Sequence, residues 1–282
     1  MCIGLIALFG RAIVSRGWSN AGMLSLGRAL RSSGAGVPAP EKLAHAESLF
    51  RKALEMDSRN ASAHRGLGFI FWEQGAQHQA GDQWRRAGVA YMDFVRTGGL
   101  AARLGNPDKA LDWYRRAIAL APYTSDPYVS AALILAEMEG EEQALALLEH
   151  ALALDAFDNE SVEIVAHAAR ADFLYSLGQR REAMADYEWV VARSTGNYWS
   201  TLRVGALAWE LDGDAVRAEI MMLRALEINP KLKWAYSRLG DLYRDLGRRD
   251  EALQMFLKVL ELDPDDEYAL KRAKSLDGEG SR

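Results

Sequence analysis

The histidines, the single cysteine and the paired carboxylates are the side chains of this chain that could bind a metal or assist catalysis. The sequence contains five histidines and one cysteine, Cys2. The histidines are His45, His64, His78, His150 and His167. No two of them have the H-x3-H or H-E-x2-H spacing of a zinc site, and one cysteine can form neither a thiolate cluster nor an intramolecular disulfide. The sequence therefore predicts no metal site and no cofactor.

The sequence also lacks the short motifs of phosphate binding and nucleophilic catalysis. Neither G-x4-G-K-S/T nor G-x-S-x-G occurs. The fragment Gly66-Leu67-Gly68 looks like part of a nucleotide loop, but it lies inside a helical pattern, where a small residue allows close packing. Acidic pairs such as Glu141–Glu142 and Asp250–Glu251 lie at turns or helix starts, where carboxylates stabilise free backbone N–H groups. We therefore predict no catalytic residues and a protein that is not an enzyme.

Composition and charge restrict the partners that the chain can bind. About half of the residues are apolar and a quarter are charged, which is typical of a folded protein. The formal net charge is -5, so binding to nucleic acid through phosphate neutralisation is disfavoured. We expect a protein or peptide partner and no nucleic acid.

The elements that would position any site come from an internal repeat. Seven alanines recur at intervals of 34, 30, 34, 39, 35 and 34 residues: Ala46, Ala80, Ala110, Ala144, Ala183, Ala218 and Ala252. A bulky residue follows each of these anchor alanines by four positions, from Phe50 to Phe256. A small residue precedes most anchors by twelve positions, as Gly68 and Gly240 do. Such spacings indicate two helices that pack through small residues, with an aromatic side chain filling the space beside them.

The repeat resembles the tetratricopeptide repeat, whose pattern is W-x2-L-G-x2-Y, then A-x3-F, then P. The unit from 233 to 265 matches it with Tyr236, Leu239, Gly240 and Tyr243, followed by Ala252, Phe256 and Pro264. The resemblance covers almost the whole chain. It implies an all-α fold, a right-handed superhelical solenoid of antiparallel helix pairs.

We predict three segments. Residues 1–14 are an apolar N-terminal segment, and residues 266–282 are a capping helix and tail. Between them, residues 15–265 form about seven repeats, at 15–58, 61–90, 91–124, 125–158, 164–197, 199–232 and 233–265. The Gly-, Ala- and Pro-rich stretch Ser32–Pro40 is expected to be an extended loop.

The apolar segment 1–14 has three interpretations. It can pack on the first repeat as an amphipathic helix. It can act as a short membrane anchor or be the tail of a longer span that starts upstream of Met1. It can also be disordered or an atypical export signal. It is shorter than the roughly 20 apolar residues that span a bilayer. The corresponding localisation is cytoplasmic, with membrane association through residues 1–14 as the alternative.

The resemblance implies a partner-binding groove on the concave surface formed by the first helices. The matching positions are Arg65, Phe69 and Trp72; Val129 and Leu133; Asp172 and Tyr175; Arg203, Leu207 and Glu210; and Trp234, Asp241 and Arg244. An alternative for Phe69 and Trp72 is that they pack against the neighbouring helix. The asparagine with which some family members grip a C-terminal carboxylate is missing at these positions.

The resemblance thus implies a non-catalytic scaffold or adaptor that binds a peptide or helix of a partner protein. The alternatives are a membrane-tethered assembly factor of the bacterial envelope type and a helical repeat protein that binds single-stranded RNA.

Overall fold

The computed structural model describes residues 2–32 and 38–279. Within these ranges the chain forms fifteen α-helices and no strand. The helices are α1 (Cys2–Ser32), α2 (Pro40–Met56), α3 (Ala61–Glu73), α4 (Gln77–Arg86), α5 (Tyr91–Arg103), α6 (Pro107–Leu120), α7 (Asp126–Glu139), α8 (Glu141–Leu154), α9 (Glu160–Ser176), α10 (Arg180–Arg193), α11 (Tyr198–Asp212), α12 (Ala215–Ile228), α13 (Lys233–Asp245), α14 (Arg249–Leu262) and α15 (Glu267–Glu279). The predicted all-α fold is confirmed. None of the helices in these ranges is long and apolar enough to cross a membrane.

The helices pair in sequence order within two compact units. The N-terminal unit, Met1–Asp158, contains the pairs from α1–α2 to α7–α8. The C-terminal unit, Asn159–Arg282, contains the pairs α9–α10, α11–α12 and α13–α14, and α15 packs on α14. In each pair the first helix comes from the first half of a repeat, and the second helix carries the anchor alanine.

The predicted packing positions form the core of both units. The seven anchor alanines are fully buried, as are the bulky residues Phe50, Trp84, Leu148, Tyr187 and Phe256. The small residues of the first helices lie directly against these bulky side chains. A Cβ atom at Gly240 would lie 2.8 Å from the Phe256 ring, and one at Gly98 would lie 2.7 Å from the Tyr114 ring. The helix pairs therefore approach closely because the first helix has little or no side chain at the contact.

The fragment Gly66-Leu67-Gly68 is confirmed as a packing feature. A Cβ at Gly66 would lie 2.1 Å from the Phe50 ring, and one at Gly68 would lie 2.3 Å from the Trp84 ring. The two glycines of α3 thus contact the aromatic residues of two successive second helices.

Glycine ends the first helix where the repeat predicts a turn. Gly75, Gly105, Gly178, Gly213 and Gly247 all have φ between +65° and +81°. A residue in this left-handed conformation closes a helix C-terminus, and only glycine adopts it without strain.

The first pair is the least regular part of the N-terminal unit. The small residue Gly22 of α1 lies against Phe50 of α2, as Gly240 lies against Phe256 in the last pair. The hydroxyl of Ser15 donates to the carbonyl of Ala53, 2.8 Å away, and accepts from the amide of Asn60. The predicted loop Ser32–Pro40 lies mostly outside the described residues, and its last residue, Pro40, begins α2.

The structure accounts for two other irregularities of the repeat, at the start of α9 and at the short helix α4. The extra residues 159–163 form the N-cap and first turn of α9, where the Asn159 side chain accepts from the Ser161 N–H. The short helix α4 approaches α6 through Gly81, since a Cβ there would lie 2.0 Å from the Ala119 carbonyl oxygen. A residue other than glycine at this position would push α4 away from α6.

Candidate functional site

A cleft between α13 and α15 is the strongest candidate site in the C-terminal unit. Its volume is about 370 Å³, and its lining residues are Lys233, Trp234, Ser237, Arg238, Asp241, Asp266 and Tyr268. Trp234 is 56% exposed, and Tyr268 is exposed opposite it. Large aromatic side chains that remain accessible beside charged groups are typical anchors for a protein partner.

The spacing of α13 places the cleft residues on one face. Trp234, Arg238 and Asp241 are separated by four and three residues, so they share one side of the helix. The opposite face of α13 is buried through Ala235, Leu239 and Leu242. Burial of that second stripe fixes the orientation in which the cleft residues are presented.

Lys233 connects the first turn of α13 to the turn between α14 and α15. Its amine lies 2.6 Å from a carboxylate oxygen of Asp263 and 2.9 Å from one of Asp266. These hydrogen bonds, led by the one to Asp263, raise the pKa of Lys233. The pKa of Asp266 is lowered, first by the backbone N–H of Ala269 and then by Lys233. Both groups are therefore held in their charged forms at one end of the cleft.

Asp241 organises the other side of the cleft. It accepts the hydroxyl of Tyr268 at 2.6 and 2.7 Å, and it lies 3.0 Å from Arg244 and 3.6 Å from Arg272. Burial, followed by the bond to Asp241, raises the pKa of Tyr268, so its hydroxyl stays protonated and remains a donor. Asp241 and Arg244 are both predicted groove residues, and the structure brings them together.

A row of contacts continues from α13 to α11. Glu210 lies 3.3 Å from Arg238 of α13 and 3.7 Å from Arg180 of α10. A smaller cleft of about 270 Å³ lies beside these groups, with Trp209, Glu210, Arg238 and Arg272 among its lining residues. Each carboxylate along this row is next to an arginine, so the surface carries both signs of charge.

At the α9 end of this row, Arg203 of α11 lies between two aromatic rings. The guanidinium of Arg203 is 4.0 Å from the centre of the Tyr175 ring and 4.7 Å from that of Trp199. Asp172 accepts from the Tyr187 hydroxyl at 2.6 Å and from the Trp199 indole N–H at 3.3 Å. Together the side chains of α9, α11, α13 and α15 form a connected surface, which we call the first-helix face.

Two predicted groove residues have no surface to contribute. Val129 is 2% exposed and Leu207 is fully buried. Both lie among buried neighbours, Ala131 and Ala132 for Val129 and Ala206 and Ala208 for Leu207. An offset taken from the repeat cannot show that these first helices are buried on more than one side. Leu133, four residues after Val129, is exposed.

In the N-terminal unit, Phe69 and Trp72 belong to a packed aromatic cluster, and Arg65 is exposed on the same helix. Both rings contact Trp84, with centroids 5.6 and 5.8 Å away. The Trp72 indole donates to Asp112 of α6 at 2.9 Å. Phe69 and Trp72 therefore pack against neighbouring helices, which was the alternative considered for them.

Arg116 of α6 completes this cluster. Its guanidinium lies 4.5 Å from the Trp113 ring centre, 5.4 Å from that of Trp72 and 5.5 Å from that of Phe69. It also lies 2.8 Å from Asp112. A cation already in contact with these rings leaves them less available to a ligand.

Sequence reasoning missed several cleft residues. Lys233, Arg238, Tyr268 and Arg272 were not among the predicted positions, although each lies at the cleft or its rim. A usable signal was present for Arg238, which follows the exposed Trp234 by one helical turn. Tyr268 and Arg272 were missed because residues 266–282 were interpreted only as a cap.

A second polar cluster missed from sequence joins α9 to α10. Asp186 is buried and accepts from His167 Nδ1 at 2.7 Å and from two nitrogens of Arg170 at 2.6 Å. Burial raises the pKa of Asp186, but the bonds from His167 and Arg170 outweigh it, so the net shift is downward. The His167 ring also stacks on Trp189, 3.8 Å between centroids. These contacts hold the helix pair together.

Comparison with known proteins agrees with this architecture. The family model described as the tetratricopeptide repeat matches residues 234–266, and a second tetratricopeptide repeat model matches residues 95–125. The chain therefore contains tetratricopeptide repeats. The C-terminal match covers α13 from Trp234 onwards and all of α14, and it includes the cleft residues Trp234, Asp241 and Asp266.

The relatives and similar structures are distant in sequence. Superkiller complex protein 3 of Mus musculus is 24% identical over 243 residues, which cover 80% of this chain and 15% of that protein. The chain thus spans a small part of the length of this relative. YrrB, described as a TPR protein with an unusual peptide-binding site, has a TM-score of 0.56 at 19% identity and covers 80% of this chain and 97% of its own. PilF of Pseudomonas aeruginosa has a TM-score of 0.51 at 16% identity and covers 96% and 99%. These similarities indicate a shared fold.

Proposed function

We propose that this tetratricopeptide repeat protein is a non-catalytic scaffold that binds a peptide or helix of a partner protein on the first-helix face. The observation that carries the proposal is the exposed Trp234 beside the α13–α15 cleft. Trp234 has apolar surface for a partner side chain, while Lys233, Arg238 and Asp241 offer charged hydrogen-bonding groups around it. A cytoplasmic location belongs to the same proposal.

Pre-ordered charges support binding at this place. Lys233 is held by Asp263 and Asp266, and Asp241 is held by Tyr268. Side chains that are already fixed lose little rotamer entropy when a partner binds. The mixture of aromatic and charged groups also fits the composition of protein interfaces, which are enriched in Trp, Tyr and Arg. YrrB, whose fold is similar, is described as having a peptide-binding site.

Selection of peptides from a random phage-displayed library on the full chain would test the proposal. The affinity of the enriched peptide would then be measured by calorimetry for the unaltered protein, for Trp234→Ala and for Tyr123→Ala. Tyr123 is an exposed aromatic residue of the N-terminal unit and serves as the matched control. We expect Trp234→Ala to weaken binding about tenfold or more and Tyr123→Ala to leave it unchanged. Failure to enrich any peptide, or equal binding by both variants, would contradict the proposal.

A membrane-tethered form of this scaffold is the second candidate, and the length of α1 favours it. α1 has 31 residues and α2 has 17, so at about 1.5 Å per residue α1 is longer by about 20 Å. Ser15 already lies against Ala53 in the last turn of α2. The residues before Ser15 therefore extend beyond α2, and Ile13 is 67% exposed.

The composition of α1 matches a lipid surface. Its residues before Ser15 are apolar apart from Arg11, and the whole helix contains no acidic residue. Apolar side chains flanked by arginines bind the interface of anionic bilayers. We propose that this extension inserts partly into such a surface.

Flotation with phosphatidylglycerol vesicles would test membrane binding. The full chain should float with these vesicles and float less with phosphatidylcholine vesicles, whereas a chain starting at Ser15 should remain unbound. The double variant Ile13→Ser/Val14→Ser should bind more weakly than the unaltered chain. If the full chain and the truncated chain behave alike, the membrane candidate is excluded.

A further inference from the structure

Trp234 differs from the other tryptophans in its contacts. The chain contains eight tryptophans, and the described contacts show how seven of them are covered. Lys52 lies over Trp18, Arg116 over Trp72 and Trp113, Arg193 over Trp189 and Arg203 over Trp199, while Trp84 is fully buried and Trp209 packs against the core. Trp234 has no cation, ring or hydrogen-bond acceptor among the described contacts, and it is 56% exposed at the α13–α15 cleft. Its ring and its indole N–H are therefore available to a ligand.

Tyr268 forms the opposite wall of the cleft. Its hydroxyl donates to Asp241, the edge of its ring packs on Phe256 with 6.3 Å between centroids, and Arg272 lies 4.9 Å from its ring centre. These contacts fix the ring in place. The cleft is therefore a slot between a fixed aromatic wall and the uncovered ring of Trp234.

The charges of the cleft are already paired. Four of its lining residues are charged, namely Lys233, Arg238, Asp241 and Asp266. Each of them has an oppositely charged atom within 3.3 Å. A ligand at the described lining therefore meets no unmatched charge, so an uncharged ligand fits this slot better than an acidic or a basic one.

The hydrogen-bonding capacity that remains at the cleft comes mainly from donors. The carboxylates of Asp241 and Asp266 already accept from Tyr268 and Lys233. The Trp234 indole N–H has no described acceptor, and Arg238 has five N–H donors, of which Glu210 lies beside those of Nη1 in the described contacts. The matching ligand brings hydrogen-bond acceptors and an apolar surface without a net charge.

A proline-rich segment in the polyproline II conformation has this chemistry. Proline has no backbone N–H, so it brings no donor that needs an acceptor. The polyproline II conformation has no internal hydrogen bonds, and its carbonyl groups stay free to accept. A helical segment uses most of its carbonyls internally, whereas an ordinary extended peptide brings N–H groups that must be satisfied. Proline-rich segments also dock in grooves lined by aromatic side chains.

We propose that the partner segment bound at the α13–α15 cleft is proline-rich and adopts the polyproline II conformation. This inference rests on the proposed function, because it names the ligand of the same site. A proline ring packs on Trp234 inside the slot, and neighbouring carbonyls accept from the Trp234 indole and the Arg238 guanidinium. The stiffness of the segment reduces the entropy lost on binding.

Binding of decaproline to the full chain would test the inference. The probe would carry fluorescein at its N-terminus and an amide at its C-terminus, and binding would be followed by fluorescence anisotropy. A Gly-Ser decapeptide with the same label is the control and should not bind. Trp234→Ala should weaken decaproline binding about tenfold or more. Trp234→Phe keeps a ring but lacks the N–H, so it should weaken binding less.

Two further measurements belong to the same experiment. Raising the salt concentration from about 50 mM to about 500 mM should leave the affinity nearly unchanged, because the ligand forms no ion pair that salt would screen. Circular dichroism and thermal unfolding of Trp234→Ala should match those of the unaltered chain, since the side chain is exposed. Decaproline binding that survives Trp234→Ala, or that is lost at high salt, would overturn the inference.

The selection of library peptides separates this inference from the proposed function. Enriched peptides that require Trp234 and contain two or more prolines would support both. Enriched peptides that require Trp234 but lack proline or bind as helices, together with absent decaproline binding, would overturn the inference and leave the peptide scaffold intact. If neither decaproline nor any library peptide binds, both are wrong.

Discussion

Gly68 and Trp84 are in direct contact across the α3–α4 pair, with space for a hydrogen atom but none for a methyl group. A Cβ on Gly68 would lie 2.3 Å from the Trp84 indole nitrogen, and Trp84 is fully buried. The same packing of a small residue against a large one occurs in the other helix pairs. Among the described contacts between a glycine and an aromatic ring, this one is the second closest, after Gly66 and Phe50.

Gly68→Ala should destabilise the protein by about 1–3 kcal/mol, because overpacking forces the indole or the backbone to move. Gly17→Ala is the matched control, since a Cβ at Gly17 of α1 meets nothing within 4 Å. Replacing a helical glycine with alanine where there is space stabilises a helix by about 0.5–1 kcal/mol. Urea unfolding of both variants should therefore give changes of opposite sign. If both variants are stabilised, the close contact is not part of the folded protein.

Gly81→Ala should destabilise the contact between α4 and α6. Shortening a neighbouring side chain should not relieve this effect, because the clash involves backbone atoms. The new methyl would meet the Ala119 carbonyl oxygen, which is backbone, and Arg85 holds that segment by donating to the Leu120 carbonyl at 2.6 Å. Hydrogen exchange should speed up in α4 and α6. Adding Arg85→Ala to Gly81→Ala should not restore the protection of α4 and α6. By contrast, adding Trp84→Leu to Gly68→Ala should partly restore stability, because the clash there involves a side chain. Rescue of Gly81→Ala by either change would contradict this assignment.

Asp186 should stabilise the folded chain at neutral pH and lose that effect in acid. Its pKa is lowered in the folded state, whereas an unfolded aspartate titrates near about 3.9. Its contribution is therefore fully present above about pH 4 and is lost as the pH falls through the lower, folded-state pKa. Asp186→Asn should cost about 1.5–3 kcal/mol at pH 7, the usual range for hydrogen bonds to a charged group. The difference in unfolding free energy between the two proteins should shrink below about pH 4, and a difference independent of pH would argue against the ionised Asp186.

Lys233→Met should loosen α15 without unfolding the C-terminal unit. The change removes the contacts of α13 with Asp263, the C-cap residue of α14, and with Asp266, which directly precedes α15. Hydrogen exchange of the amides of Glu267–Glu279 should become faster. Lys258→Met is the control, because Lys258 pairs only with Glu261 of its own helix in the described contacts. Equal exchange of α15 in the two variants would show that Lys233 does not hold this helix.

The repeat made the fold predictable because its signal is redundant. The anchor Ala252, the bulky Phe256 and the small Gly240 each have counterparts at the same offsets in other units, so an error in one unit does not change the overall prediction. Turn glycines such as Gly247 were predictable for a separate reason, since a left-handed residue at a helix end is rarely anything else.

The candidate site was only partly predictable, because surface exposure depends on neighbours that differ between repeats. Trp234, Asp241 and Arg244 lie at the cleft or its rim, but Leu207, at an equivalent type of position, is buried. The cluster of Asp186 and His167 joins residues that are 19 positions apart on two helices. Nothing in their local spacing distinguishes them from solvated residues, so tertiary packing alone reveals the contact.

The wall of the cleft that carries Tyr268 belongs to α15, a helix that packs on α14 and lies beside α13 through a few polar contacts. α15 is anchored mainly by Ala269, Ala273 and Leu276, which pack on one side into the core. A helix that is covered on one side opens at a lower free energy than the helices packed on both sides. A ligand held between Trp234 and Tyr268 would have to keep that segment docked, so occupancy should raise the protection of α15 more than that of any other helix in the unit. Conversely, displacement of α15 would remove one wall of the proposed binding surface while leaving the other repeats folded.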